Sequence, residues 1–292
     1  MFEDKYIEKR GRRPLSPGRR RFLKVGAAAA VMGLTTSVYG YALEPDHPRV
    51  SHVTVKVPGW PARAAGLKIG HLSDFHCQDD RAEARIAHAA RMLLAEKPDI
   101  VFLTGDYISG GFAPRWVERS AGALSPLRAA PCGVFAILGN HDYADGHSGD
   151  IADALTRAGF CVLRNRAVPF PGVENTWIVG MESLCLSYQN PVQALENVPQ
   201  SAVKILLVHE PDYADAAPLG IGLQLSGHSH AGQVRVPGLP PLHCPTFGTR
   251  YPEGLQQAEN HQVYTTRGVG MMGPQVRFCC PPEIVVLEIV PA

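Results

Sequence analysis

Asp99-Ile100-Val101-Phe102-Leu103-Thr104-Gly105-Asp106-Tyr107 carries the fold and the chemistry in nine residues. Four apolar residues without alternation predict a strand buried on both faces. Asp106 then stands where that strand runs out, and Gly105 lets the backbone come close to whatever the carboxylate holds. The same arrangement recurs four times. The apolar run 67–72 leads into Ser73-Asp74-Phe75-His76, and 133–138 into Gly139-Asn140-His141-Asp142. Run 204–208 leads into His209-Glu210-Pro211-Asp212, and 223–225 into Ser226-Gly227-His228-Ser229-His230. In folds built from such strands, ligands gather beyond the carboxyl ends. Five polar clusters at five strand ends therefore point to one pocket.

Further strands are predicted at 53–57, 177–179, 263–266 and 284–289, and helices at 82–96, 114–124 and 149–158. Strands alternate with helices in the first half and dominate the second. That order predicts an α/β fold of two packed mixed sheets flanked by helices. With no internal repeat or low-complexity linker after residue 44, residues 44–292 read as one domain.

Taken singly, most of these clusters have an ordinary explanation. An Asp at a turn is usually a cap, and Gly-Asp is common turn chemistry. Glu210 and Asp212 are expected to cap a helix starting near Pro211. Asn140 offers a neutral carbonyl oxygen to a metal, while its neighbour His141 is placed to face substrate, with Asp142 as the expected orienter of its ring. The most specific cluster is Gly227-His228-Ser229-His230. Alternate residues of extended chain face opposite ways, so a bend at Gly227 is expected to turn the two imidazoles toward different ions. Of the other histidines, His243 stands out. It lies in the Pro/Gly-rich loop 237–254, where Leu239, Leu242, Phe247 and Tyr251, with Met271 and Met272, form a candidate apolar wall for substrate.

Bulk composition narrows the function. The 292 residues are 45% hydrophobic and 19% charged, with a formal net charge of +1. Residues 1–24 hold nine Lys/Arg and three acids, leaving the remainder five charges negative. An acidic body lacks the basic footprint of a nucleic-acid binder. The basic start precedes an uncharged run, Val25 to Leu43, the layout of an export signal. Arg19-Arg20-Arg21-Phe22-Leu23-Lys24 resembles a twin-arginine signal. Small residues in Gly40-Tyr41-Ala42 predict cleavage after Ala42, with retention of residues 25–43 as a membrane anchor the alternative. Seven cysteines at irregular spacing, without a Cys-x-x-Cys pair, argue against a structural zinc site and leave any disulfide pairing open.

In order and spacing, Asp74-x-His76, Gly105-Asp106, Gly139-Asn140-His141-Asp142, His209 and Gly227-His228-x-His230 resemble the calcineurin-like metallophosphoesterase superfamily, and within it exported bacterial phosphodiesterases with twin-arginine signals. Ala231-Gly232-Gln233 and Cys280-Pro281-Pro282-Glu283-Ile284 are similar to that subgroup as well. The resemblance implies a four-layer αββα sandwich and two divalent ions. Asp74, His76, Asp106 and His230 would hold one ion, and Asp106, Asn140, His209 and His228 the other. Nitrogen and oxygen donors without thiolate suit Mn, Fe or Zn. The implied reaction is hydrolysis of phosphodiester or pyrophosphate bonds by a hydroxide between the ions, with His141 as the catalytic residue assisting the leaving group. Alternatives are a UDP-2,3-diacylglucosamine pyrophosphatase of lipid A metabolism, a phosphomonoesterase, or a non-catalytic protein-binding scaffold. The expected partners are a phosphate-ester or pyrophosphate substrate, small or lipid-linked, and the twin-arginine export machinery. The expected location is the periplasm or cell envelope.

Overall fold

The computed structural model describes residues 16–109 and 113–292. Most of the basic N-terminal cluster, residues 5–13, lies outside the described residues. In chain order the first elements are α1 (Pro17–Val38), β1 (Arg49–Val57), β2 (Leu67–Leu72), α2 (Asp80–Ala95), β3 (Ile100–Leu103) and α3 (Pro114–Leu124). There follow β4 (Val134–Ala136), α4 (Asn140–Tyr143), α5 (Ser148–Arg157), β5 (Cys161–Val162), β6 (Arg166–Pro169) and β7 (Thr176–Gly180). The chain closes with α6 (Pro191–Leu195), β8 (Val203–Leu207), β9 (Ile221–Ser226), β10 (Gly254–Gln257), β11 (Gln262–Thr265) and β12 (Glu283–Pro291). It divides into two compact units at Tyr39/Gly40.

The strands form two six-stranded mixed sheets, ordered β1-β12-β2-β3-β4-β5 and β10-β11-β9-β8-β7-β6. Continuous apolar strands arise because both faces of each sheet are covered. In β3, Ile100 and Phe102 enter the core between the sheets, while Val101 and Leu103 turn outward onto the helices. In β8, Ile205 and Leu207 face inward, and Leu206 turns to the opposite side. The period of two thus assigns alternate residues to separate apolar layers.

The helix α2 starts where the Asp79 carboxylate accepts the Ala82 backbone N–H at 2.7 Å, and it buries Ile86, Ala89, Ala90 and Leu93 on one face. The α3 helix begins with Pro114, whose missing N–H costs nothing in a first turn. With α5 these helices cover the first sheet. The outer face of the second sheet has a thinner cover, α6 and a 3₁₀ turn at Pro211–Asp215, over Val179, Leu206 and Ile221. The layers are therefore αββα, as the resemblance implied. The strands β2, β3 and β4 run parallel, as do β7, β8 and β9, so their exits open at the same end of each sheet.

In the N-terminal unit, α1 starts from a Ser16 side-chain cap and buries none of its residues.

Candidate metal centre

The first sheet delivers Asp74, His76, Asp106 and Asn140 to one end of the sandwich, and the second delivers His209, His228 and His230. Six of the seven are buried: Asp74, His76, Asp106, His209, His228 and His230. Their backbone is unusual. Asp74, His76, Asp106, His228 and His230 all have φ between 47° and 69°, a left-handed conformation that residues with a Cβ seldom adopt. Each such residue costs on the order of 1–3 kcal/mol, and such strain gathers at functional sites. The turn expected at Gly227 is therefore made by His228 itself. Gly227 serves by its lack of a side chain, since a Cβ there would overlap Asp74 Oδ2 and Ser73 Oγ. In the same way a Cβ on Gly139 would strike Asp106 Oδ1.

Backbone groups lock these turns together. Asp142, expected to orient the His141 ring, instead accepts the N–H groups of Asp106, Tyr107 and Gly139, each at 2.8 Å. It fixes the β3 exit to the β4 exit. The Asp74 carboxylate accepts the His228 N–H at 2.9 Å, joining the two sheets. Glu210 and Asp212 do not cap a helix either. Glu210 accepts N–H groups of Leu184 and Cys185, and Asp212 those of Thr249, Arg250 and Tyr251. Both carboxylates tie neighbouring loops to the His209 turn.

The inward side chains bring their nitrogen and oxygen atoms face to face. His209 donates Nδ1–H to the Thr104 carbonyl at 2.6 Å, which directs Nε2 toward Asp106 Oδ2 at 3.2 Å. His228 donates Nε2–H to the Thr246 carbonyl at 2.9 Å, which directs Nδ1 toward Asn140 Oδ1, also 2.9 Å away. His76 Nε2 lies 3.1 Å from His230 Nε2 and 3.6 Å from Asp106 Oδ2. His230 Nε2 lies 3.4 Å from Asp74 Oδ1. Among the described residues no Lys or Arg pairs with Asp74 or Asp106, and His76 Nδ1 and His209 Nε2 have no hydrogen-bond partner.

Electrostatics follow from this crowding. Burial pushes the Asp74 carboxyl up to about 6, with the Asp106 carboxylate adding and His209 opposing. Burial drives His76 down to about 3 and His230 well below the usual imidazole range. Burial also works against a charged His209, but the Asp106 carboxylate overrides it and holds the imidazolium up. Asp106 is held well below the usual carboxylate range, against burial, by His209 and His76. Buried carboxylates and imidazoles crowded this closely are expensive for a protein alone. A divalent cation removes that cost, and the donor set of N and O atoms suits one. The groups Asp74/His76/His230 and Asp74/Asp106/His209 each bring their donor atoms within 4.8 Å of one another.

Above the cluster lies a cavity of about 400 Å³, lined by Asn140, His141, His230, Gln233, His243 and Met272 among others. The His141 ring meets His76 edge-on at 5.2 Å, and its backbone N–H donates to Asp106 Oδ1 at 2.9 Å. The expected apolar wall is partly different. Met272 is in it, with Val234, Pro245 and Pro274. Met271 and Tyr251 are buried behind, and Leu239 and Leu242 face solvent outside the cavity. All seven cysteines are free thiols.

Sequence reasoning did not single out Thr104, Thr246 or Arg277. The first two act through carbonyls, which any residue has. Arg277 is wholly buried, donates to the carbonyls of Gly270 and Cys280, and touches His230 Nδ1 at 3.4 Å. A lone basic residue far along the chain carries no signal of that contact.

A family model of calcineurin-like phosphoesterases matches residues 67–232. The chain is 32% identical over 280 residues to the metallophosphoesterase YkuE of Bacillus subtilis, covering 93% of this chain and 97% of that protein. It is 32% identical to the phosphodiesterase YaeI of Escherichia coli, covering 93% and 99%. It is 26% identical to the UDP-2,3-diacylglucosamine pyrophosphatase LpxG of Chlamydia trachomatis, covering 91% and 98%.

Proposed function

Since the chain belongs to the calcineurin-like phosphoesterase family, we propose that it is a phosphodiesterase whose two-ion centre is held by Asp74, His76, Asp106, Asn140, His209, His228 and His230. It is a metal-dependent phosphoesterase with a dinuclear divalent centre. The observation that supports the ligand set is the convergence of buried carboxylates and imidazoles from both sheets beneath one cavity.

Asp74, His76 and His230 would serve one ion, Asn140, His209 and His228 the other, and Asp106 both. Two such ions, when bound, stabilise charge on phosphate oxygens and supply a nucleophilic water. The remaining work belongs to the chain. The Thr104 and Thr246 carbonyls accept hydrogen bonds from ring N–H groups and so aim His209 Nε2 and His228 Nδ1 inward. Asp142 holds the Asp106 turn rigid. His141, on the cavity wall and tethered through its backbone to Asp106, donates a proton to the leaving oxygen. The buried side chains beneath the cavity exclude bulk water from below the scissile group.

Mn, Fe or Zn fits the donors, and metal analysis of the purified protein identifies the pair. The decisive experiment compares bis-aryl phosphate, mono-aryl phosphate and UDP-2,3-diacylglucosamine with each ion added. Faster turnover of the diester supports the first reading. Preferential turnover of the monoester overturns it. A lipid-linked pyrophosphate is the second reading, favoured by apolar Val234 and Met272 on the cavity wall and by the likeness to LpxG. In either case the site works outside the cytoplasm. The support is the twin-arginine pattern at Arg19–Lys24 in the first turns of α1, followed by the exposed, uncharged remainder of that helix from Val25 to Val38. Accumulation of an Arg19→Lys/Arg20→Lys variant in the cytoplasm tests this, and export undiminished by that change sinks it.

A further inference from the structure

The residues on either side of the expected cleavage point, Gly40 to Asp46, are built into the folded body. Gly40 is buried, and its carbonyl accepts the Arg277 N–H at 2.9 Å. A Cβ at Gly40 would press on Arg277 O and Val276 Cγ1 at 3.1 Å. The Ala42 carbonyl, on the scissile bond itself, accepts Arg81 Nη2 at 3.0 Å, and the same guanidinium lies 5.5 Å over the Tyr41 ring. Two residues on, the Glu44 side chain is 3% exposed and accepts the backbone N–H groups of Cys279 and Cys280. Asp46 completes the set with Arg81 at 2.7 Å and Arg85 at 2.6 Å. The backbone here is helical, a π turn at Tyr39–Leu43 followed by a 3₁₀ turn at Glu44–Asp46.

Susceptibility to cutting depends on the burial and hydrogen bonding of the affected backbone, not on its place in the sequence. A peptidase that reads Gly40-Tyr41-Ala42 in extended form must first pull this segment off Arg81, Arg277 and the 279–280 turn. A chain exported already folded presents the segment in its bound form. We propose that residues 40–46 are a clasp that withholds the cleavage site, so that the preceding helix stays attached and anchors the phosphoesterase to a lipid bilayer. The helix Pro17–Val38 that precedes the clasp has 22 residues, about 33 Å at 1.5 Å each against the roughly 30 Å of a hydrocarbon core, with its charges confined to Arg19–Lys24 at one end. The preceding helix buries none of its own residues and is apolar and long enough to cross a membrane, so lipid is the proposed cover for it.

The membrane placement rests on the export reading given above, whereas the clasp itself is independent of it. Purified, folded full-length chain in detergent is treated with bacterial signal peptidase beside a synthetic peptide of residues 17–48. The peptide is expected to be cut after Ala42 and the folded chain at least about tenfold more slowly, because cutting must wait for local opening. Equal rates overturn the clasp, and so does a peptide that resists. A Glu44→Ala/Arg81→Ala variant is expected to become cleavable while still hydrolysing bis-aryl phosphate, the sign that its body is folded. If it hydrolyses the diester and stays uncut, the clasp is wrong. In cells, intact mass should show Pro17–Val38 retained on a protein that carbonate does not strip from membranes. A soluble protein starting at Leu43 overturns the anchor. An Arg19→Lys/Arg20→Lys variant located like the parent would defeat the export reading alone, leaving the peptidase result intact.

Discussion

Asp106 and Glu283 are both carboxylates almost wholly removed from water, 1% and 4% exposed, yet their surroundings are opposite. Glu283, at the start of β12, is met by donors on every side: Ser51 Oγ at 2.6 Å, Tyr264 OH at 3.0 Å, Thr266 Oγ1 at 3.2 Å, and the Arg267 N–H and guanidinium. Its charge is balanced within the protein, and it clamps strands of both sheets. Asp106 is met by the imidazole nitrogens of His209 at 3.2 Å and His76 at 3.6 Å, and it sits on a left-handed turn. A buried charge therefore does not mark function by itself. What distinguishes the two is whether the protein completes the shell. Where it does, the carboxylate is a fastener. Where it does not, the remaining coordination belongs to something from outside.

The sharpest way to break this contrast is to neutralise Asp106. Asp106→Asn removes the carboxylate proposed to serve both ions while keeping its size. We expect loss of at least one ion per chain, measured by metal analysis, and a fall in diester hydrolysis of roughly 10³-fold or more. A fully metal-loaded, active variant would remove Asp106 from the centre.

His141 tests the other side of the cavity. His141→Ala should keep both ions and lose about 10²–10⁴-fold in kcat. Restoration of rate with a substrate whose leaving group needs no protonation would confirm a proton donor. Loss of metal would instead make His141 a ligand. A smaller effect belongs to Asp142→Asn, which weakens the tie between two turns without touching an ion position. About 10- to 100-fold weaker metal binding is expected, the usual scale for a group that only positions ligands. The readout is the free-metal concentration for half-maximal activity, with kcat at saturating metal little changed.

These residues differ in how well the sequence exposes them. Asp74, Asp106, Asn140, His209 and His228 were legible because each follows an apolar run, and both sheets do deliver them to one end. Pro114–Leu124 was legible to the residue because proline and the 3.6 period mark its face. The strands Cys161–Val162, Arg166–Pro169 and Gly254–Gln257 were not. They are short, half-buried and at or beside sheet edges, so they carry no apolar run. The left-handed turns at the ligands were invisible too, since nothing in Asp-Phe-His announces a positive φ. The tertiary fold imposes them. Asp142 misled for a related reason: adjacency to His141 suggested a side-chain partner, while α4 turns the carboxylate away toward three backbone N–H groups.

The smallest effect should come from Glu283, and its direction with pH is what separates a fastener from a site. Burial works against the charged form, but Arg267 and the converging donors hold the carboxyl below its usual range. A group whose folded pKa is depressed contributes stability above its unfolded value, here near 4.5. That contribution fades as pH falls through the lower folded value. At neutral pH, Glu283→Gln should therefore cost about 1–3 kcal/mol, the scale of hydrogen bonds to a charged group. For a body of this size that is a drop in Tm of roughly 2–10 °C. The gap between parent and variant should close as pH falls through the lowered folded value, because the parent carboxyl is neutral below it. Metal content at neutral pH should not change. A gap that widened on acidification, or a variant that lost its ions, would show that Glu283 belongs with Asp106 after all.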